Sequence, residues 1–288
     1  MKRIAIITSG GDAPGMNAAI RAATLTALKA GCEVFGVIRG FQGLITGEII
    51  ELTSMGVSDI LHRGGTILHS ARSKEFRTEE GREKAAKQLH DLGIEGIVVI
   101  GGDGSFRGAR ELSKFGFMTV GIPGTIDNDI ECTDLSVGFD TALNTVLENL
   151  NKIRDTALSH DRVYVVEVMG KNSGFIALYA GLAGGADAVL LPEVQPDLDQ
   201  VVNLIQKVNN VGRRYSIVLV AEGVFGQPLT GISIYDSAAF KVANYLNLKV
   251  KKDIRITILG HIQRGGSPSA LDRTLGTQFG AKAVELLL

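Results

Sequence analysis

The segment Pro123-Gly124-Thr125-Ile126-Asp127-Asn128-Asp129 follows an apolar run that ends at Ile122. If it stays extended, Asp127 and Asp129 project to the same side. Two like charges held close are costly unless a cation or a proton in transit relieves them. Such a pair suits proton abstraction beside a metal ion. The same residues also suit an acid-rich surface turn, and the segment by itself leaves both readings open.

Other segments carry complementary chemistry. Gly101-Gly102-Asp103-Gly104-Ser105 lies between an apolar run and a helical pattern. Glycines there admit a ligand close to the backbone, and the amino end of a helix offers N–H groups to phosphate. The spacing is neither that of a P-loop nor that of the dinucleotide fingerprint. Asp103 would repel a phosphate unless it holds Mg²⁺, directly or through water. Gly10-Gly11-Asp12-Ala13-Pro14-Gly15-Met16-Asn17 repeats the design after the first apolar run. Both also read as ordinary turns, but two of them favour a shared nucleotide site. Positive charge for phosphates is offered by Arg72, Arg162, Lys171, Arg255 and Arg264, the last within His261-Ile262-Gln263-Arg264-Gly265-Gly266-Ser267-Pro268. Glu222 ends an apolar run, where a carboxylate could accept a hydrogen bond from a substrate hydroxyl.

These residues need a scaffold, and the apolar patterning supplies one. Strands are predicted at 3–8, 33–38, 96–100, 118–122, 162–168, 187–191, 215–221 and 254–260. Amphipathic helices are predicted near 16–30, 78–92, 105–115, 138–158, 172–184, 197–210, 236–247 and 272–288. Runs such as Gly96-Ile97-Val98-Val99-Ile100 are apolar throughout, as in parallel sheets covered on both faces. The alternation argues an open α/β architecture, with ligands at the carboxyl ends of the strands. At 288 residues, two domains are feasible.

Composition narrows the partners. Hydrophobic residues are 45% and charged residues 21%, as in an ordinary globular protein. A net charge of -1 gives no reason to expect capture of nucleic acid or a membrane surface. No run approaches the length of a membrane span. Cys32 and Cys132 belong to no metal pattern and read as small buried fillers in a reducing compartment. The expected location is the cytoplasm.

Together, Gly10–Asn17, Gly101–Ser105, Pro123–Asp129, Met169–Gly174 and Gly260–Pro268 resemble the bacterial ATP-dependent 6-phosphofructokinases. The likeness runs from residue 3 to the end, and PGTIDND combined with HIQRGGSP is its most specific part. The resemblance implies ATP-dependent phosphorylation of fructose 6-phosphate to fructose 1,6-bisphosphate in glycolysis. It implies two Rossmann-like α/β domains with mostly parallel sheets covered by helices and the active site in the cleft between them. The larger, ATP-binding domain would comprise 1–138 plus about 252–288, and the smaller, sugar-binding domain about 139–251. A further C-terminal extension is expected of the family and is absent from these residues.

Site residues follow from the same resemblance. Asp127 matches the general base, Thr125 a residue that holds the transferring phosphoryl group, and Asp103 and Asp129 carboxylates around Mg²⁺. Lys171 is placed with Asp127 and Thr125 in catalysis. Gly11, Arg72, Ser73, Gly102, Asp103, Gly104 and Ser105 fall where the family binds ATP. Thr125, Ile126, Asp127, Arg162, Met169, Gly170, Lys171, Glu222, Arg255, His261, Ile262, Gln263 and Arg264 fall where it binds fructose 6-phosphate. Arg162, together with Arg255, matches residues supplied by a neighbouring subunit of a homotetramer. Gly104 and Gly124 go with ATP in the family, whereas Asp and Lys there go with pyrophosphate.

Some positions depart from the pattern. Lys171 stands where the family usually has Arg, which exchanges a planar fork for a point charge. The intersubunit effector site, for ADP or phosphoenolpyruvate, is matched by Arg21, Arg154, Gly185, Asp187, Arg213 and Arg214. Leu25, Ser54 and Val211 replace basic residues there, so a weak or reshaped site is expected. The stretch 225–253 is longer than usual. Two alternative readings remain: a non-catalytic effector-binding paralogue, and a kinase for another sugar phosphate.

Overall fold

The structure, a computed structural model, describes residues 1–226 and 236–288. Residues 227–235, within the lengthened stretch noted above, lie outside the described residues. The chain divides into two compact units, one of residues 1–141 with 264–288 and the other of residues 142–263.

The first unit carries a sheet of order β3-β2-β1-β4-β5. It is formed by β1 (Arg3–Thr8), β2 (Glu33–Val37), β3 (Ile49–Glu51), β4 (Gly96–Gly101) and β5 (Met118–Pro123). All neighbours are parallel except β3, which pairs antiparallel with β2. The continuous apolar runs are buried as expected: Ile4 to Ile7 and Ile97 to Ile100 are fully inaccessible. On one face Phe41 of α2 (Gly40–Thr46) stacks on Phe76 with ring centroids 4.3 Å apart, over Ala85 and Leu89 of α3 (Glu79–Asp91). The unit also holds α1 (Met16–Lys29), α4 (Asp103–Ser113) and α9 (Ala270–Leu287). α1 and α9 pack backbone to backbone: a Cβ on Gly276 would meet the Gly15 carbonyl oxygen at 2.7 Å, and one on Gly280 the Ala19 oxygen at 2.4 Å.

The second unit has a four-stranded parallel sheet of order β7-β8-β6-β9. Its strands are β6 (Arg162–Val168), β7 (Ala188–Leu190), β8 (Ser216–Ala221) and β9 (Asp253–Ile258). Its helices include α6 (Phe175–Ala183), α7 (Leu198–Asn210) and α8 (Ala238–Lys249). α5 (Phe139–Leu158) begins in the first unit and continues in the second.

Residues 252–263 were expected with the larger domain but group with the second unit. The cause is strand pairing: Arg162 to Glu167 of β6 lie opposite Asp253 to Ile258 of β9. The last predicted strand also stops earlier, at Ile258, and Gly260–Arg264 forms a short 3-10 turn. The helix expected from 172 starts only at Phe175, because Gly170 (φ 136) and Lys171 (φ 52) turn the chain first. Cys32 is buried as expected, whereas Cys132, in the loop after the aspartate segment, is exposed. Among the described residues no helix is long and apolar enough to cross a membrane.

Candidate active site

In the first sheet, β1 leads outward to β2 on one side and β4 leads to β5 on the other, so strand order reverses between β1 and β4. Crevices at such switch points, at the carboxyl ends of the strands, are where α/β proteins bind ligands. The residues singled out from sequence emerge from these strand ends. The Ser9 amide donates to the Ile100 carbonyl at 3.0 Å and the Gly124 amide to the Gly101 carbonyl at 3.0 Å. Three loops, 9–15, 101–105 and 123–129, are thereby fixed side by side. Asp103 occupies the first turn of α4, so the Gly102–Gly104 amides lie at a helix amino end suited to phosphate, while the Ser105 amide donates to the Gly102 carbonyl at 2.9 Å.

The aspartate loop is held tightly. Thr125, Asp127 and Asn128 are buried, with Asp127 1% exposed, whereas Asp129 is exposed. The Asp127 amide donates to Thr125 Oγ1 at 3.2 Å. Asn128 adopts φ 50, and its side chain accepts from the Ser136 amide at 2.8 Å while donating to the Asp134 carbonyl at 3.1 Å.

Arg72 is exposed in a loop that follows His69, whose φ is 56. Its neighbours anchor that loop: Ser70 Oγ donates to the Gly10 carbonyl at 2.5 Å, and Thr8 Oγ1 donates to the His69 carbonyl at 2.7 Å. The loop carrying Arg72 and Ser73 is thus tied to the first glycine turn. Ser73 Oγ accepts from the Phe76 amide at 3.1 Å, which starts the turn 75–77.

Gly11 and Arg264 were expected to serve different ligands, yet they meet. Arg264 Nη1 donates to the Asp12 carbonyl at 3.2 Å, and a Cβ on Gly11 would lie 2.5 Å from that nitrogen. Glycine at 11 therefore admits the guanidinium. Gly11→Ala is expected to displace Arg264 and raise the KM of the phosphorylated substrate about 10-fold or more, since a charge-assisted hydrogen bond contributes about 1.5–3 kcal/mol. Unchanged KM values in steady-state assays would contradict this.

The second unit gathers the remaining residues at the carboxyl ends of β6 and β8 and along β9. The Glu222 amide donates to the Val168 carbonyl at 2.9 Å, and Glu222 Oε1 accepts from the Lys171 amide at 2.8 Å. That bond fixes the Met169-Gly170-Lys171 turn, with the Lys171 residue exposed. Gln263 is fully buried; its Oε1 accepts from the Met169 amide at 3.3 Å and its Nε2 donates to the Gly260 carbonyl at 3.0 Å. Its side chain therefore shapes the turn, while the adjacent His261 and Ile262 are exposed. Arg162 and Arg255 share one carboxylate: Asp253 Oδ2 lies 3.0 Å from Arg162 Nε and 2.7 Å from Arg255 Nη2. Asp253 was missed from sequence, although its i, i+2 spacing from Arg255 on a strand places both on one face.

Glu167 is buried on β6, where Oε2 accepts from the Ala239 amide at 2.8 Å at the start of α8. Burial raises its pKa, the Ala239 bond opposes this, and the nearby Glu222 charge adds to the rise. A raised folded value means that the folded state keeps a proton the unfolded chain releases. The stability tied to Glu167 is then fully present below about 4.5 and is lost as pH rises through the folded value. Gln cannot ionise and keeps an acceptor, so Glu167→Gln should gain in Tm relative to the parent protein as pH increases. Parallel curves of Tm against pH would contradict this.

The residues matched to an effector site divide between the units. Arg21 and Leu25 lie on α1. In the second unit Arg154 donates to the Gly184 carbonyl and to the Gly185 carbonyl, the latter at 3.3 Å. Asp187 is ion-paired with Arg213, and its Oδ2 also accepts from the Ile217 amide at 2.9 Å. Arg214 is exposed, and Val211 is 83% exposed.

The phosphofructokinase family model matches residues 3–287. The chain is 55% identical over its whole length to a protein named ATP-dependent 6-phosphofructokinase from Halothermothrix orenii, covering 87% of it. It is 52% identical, again over its whole length, to one of the same name from Halalkalibacterium halodurans, covering 86% of that protein. A solved phosphofructokinase structure from Saccharomyces cerevisiae aligns with a TM-score of 0.90 at 38% identity, over all of this chain and 42% of that one. A family match across nearly every residue, joined to loops built as described, has one meaning: the chain belongs to the phosphofructokinase family.

Proposed function

We propose that this chain is an ATP-dependent 6-phosphofructokinase that transfers the γ-phosphoryl group of ATP to the 1-hydroxyl of fructose 6-phosphate. The observation that carries the reading is the buried Asp127 in a loop pinned beside the Gly101–Ser105 turn. In the transfer, the sugar O1 forms a bond to the γ-phosphorus and the bond from that phosphorus to the β,γ-bridging oxygen breaks. The proton of the hydroxyl passes to Asp127. Such chemistry is mainly positioning and charge stabilisation. Thr125, the 102–104 amides, Arg72 and Lys171 supply those functions.

The carboxylates fit Mg²⁺ delivered with the nucleotide. Among the described residues no cluster of three or more ligating side chains forms a dedicated cage, and Mg²⁺ is commonly held by one or two carboxylates plus phosphate oxygens. Among the described residues Asp103 pairs with the exposed Arg107, at 3.0 Å, a kind of pair contributing about 0–1 kcal/mol that a cation can replace. Asp103 and Asp129 would hold the ion, which when bound neutralises charge on the phosphate oxygens.

Arg72 and Ser73 belong to the donor side. Met169, Gly170, Lys171, Glu222, His261, Ile262 and Arg264 belong to the sugar phosphate, with Glu222 Oε2 facing a hydroxyl. Arg162 and Arg255 reach the sugar phosphate of a neighbouring subunit in a homotetramer. ATP rather than pyrophosphate is the donor, as in the relatives named ATP-dependent 6-phosphofructokinase, and Gly104 and Gly124 go with that choice. Because Asp187 is already paired with Arg213, ADP or phosphoenolpyruvate should act weakly. The enzyme works in the cytoplasm. The non-catalytic reading is disfavoured by the intact Asp103, Thr125, Asp127 and Arg264.

Initial rates of fructose 1,6-bisphosphate formation with ATP or pyrophosphate, each with and without the two effectors, test the reading. Turnover with ATP supports it. Turnover with pyrophosphate alone, or with no sugar phosphate acceptor, overturns it.

A further inference from the structure

Asp272 is a fully buried carboxylate that the chemistry above does not use. It lies in the first turn of α9, yet its side chain serves a different helix. Oδ1 accepts from the Gly138 amide at 2.8 Å, and Oδ2 accepts from the Thr141 amide at 2.8 Å and from Thr141 Oγ1 at 2.5 Å. These groups open α5, whose first amides have no partner within the helix itself. The exchange runs both ways. Thr141 Oγ1 accepts from the Ser269 amide at 2.9 Å, and Ser269 Oγ accepts from the Asp272 amide at 3.2 Å, capping α9. Two helix amino ends are therefore locked together by one carboxylate and two hydroxyls.

The strip that runs into this lock, residues 134–138, is also what holds the aspartate loop. The Val137 amide donates to the Pro123 carbonyl at 2.9 Å, and Val137 forms a parallel bridge with Gly124. Ser136 Oγ donates to the Thr125 carbonyl at 2.7 Å, and the Ser136 amide donates to Asn128 Oδ1 at 2.8 Å. The carboxylate thus grips Gly138, one residue past the bridge that aligns Pro123 to Asn128. There is little slack nearby: a Cβ on Gly15 would lie 2.6 Å from Val137 Cγ1 and 3.2 Å from the Asp272 Cβ.

We propose that Asp272 is a positioning residue for phosphoryl transfer, setting the placement of Asp127 and Thr125 through the 136–138 strip and the start of α5. This rests on the phosphotransferase reading of Asp127. The charge is well used where it stands, because a carboxylate at a helix amino end meets both the free amides and the helix dipole. Losing it would let the strip relax by a fraction of an ångström to an ångström, and a misplacement of about 1 Å can cost about 10²-fold in rate.

The test uses Asp272→Asn, Thr141→Val and Ser136→Ala in the full chain, with Leu89→Ala as a control for lost stability. Leu89 is fully buried on α3, in a core cluster to which Ser136, Thr141 and Asp272 do not belong. Asp272→Asn is expected to lower kcat about 10- to 100-fold, with KM for ATP and for fructose 6-phosphate within about threefold of the parent protein. Thr141→Val should lower kcat less, in the same direction, and it decides the matter if Asp272→Asn fails to fold. Combined with Ser136→Ala, each variant should lose less than the product of the single effects, because both act on one strip. Leu89→Ala, matched for loss of Tm, should keep its kcat. Parent-like kcat in the folded variants, or a kcat loss in Leu89→Ala as large as theirs, overturns the inference. An inactive parent protein instead overturns the functional reading on which it stands.

Discussion

Asp127→Ser is expected to lower kcat by roughly 10²–10⁴-fold, equal to about 3–5 kcal/mol of barrier, with KM for fructose 6-phosphate little changed. A serine hydroxyl has no basicity to take the sugar proton, and it is small enough to leave the loop undisturbed. The loop is fixed by other groups: the Thr125 hydroxyl, the Asn128 side chain and the β4–β5 register. Loss of activity would therefore report the missing carboxylate rather than a collapsed segment. An equal fall in kcat and kcat/KM is the pattern of an interaction made in the transition state. Parent-like turnover in this variant would remove Asp127 from the chemistry.

Arg72→Ala is expected to cost about 10²–10³-fold in kcat, the usual loss when one preorganised donor to developing charge is removed. The side chain is exposed, but its loop is not loose. Ser70 ties it to Gly10 and Thr8 ties it to His69, so the backbone that leads into Arg72 is held beside the first glycine turn. Arg72→Lys should recover part of the loss, because it keeps the charge and loses the planar fork. A rise in KM for ATP with kcat unchanged would mean instead that Arg72 contributes equally to ground and transition states.

Much of this scaffold was legible in the sequence because its central strands, β1 and β4 in one sheet and β6 and β8 in the other, are buried on both faces. Ile4 to Ile7 and Ile217 to Ala221 read as buried parallel strands and are such strands. Shorter elements left no comparable pattern. Gly40–Thr46 carries two glycines and is followed by Gly47, which depresses helix propensity over a single pair of turns. Ile49–Glu51 is only three residues and takes its order from pairing with β2.

The chemistry-bearing loops were legible from residue type, but their supports were not. Ser269-x-x-Asp272 has the spacing of a capping box, and on that pattern Asp272 would reach back to its own helix. Instead it reaches α5, from a position more than 130 residues away in sequence. Gln263 reads as a polar ligand in an exposed glycine-rich segment, but folding buries it and commits both its polar atoms. The pairing of Arg162 with Arg255 through Asp253 depends on β9 lying next to β6, which strand patterning does not specify.

The most direct measurement is ³¹P NMR of the products formed from ATP, Mg²⁺ and fructose 6-phosphate by the parent protein and by Asp127→Ser. The parent protein should yield ADP and a sugar carrying a second phosphomonoester at C1, in equal amounts, and the variant should yield almost none of either. ATP consumed with the sugar phosphate unchanged, or the same product formed equally fast by Asp127→Ser, would contradict the account.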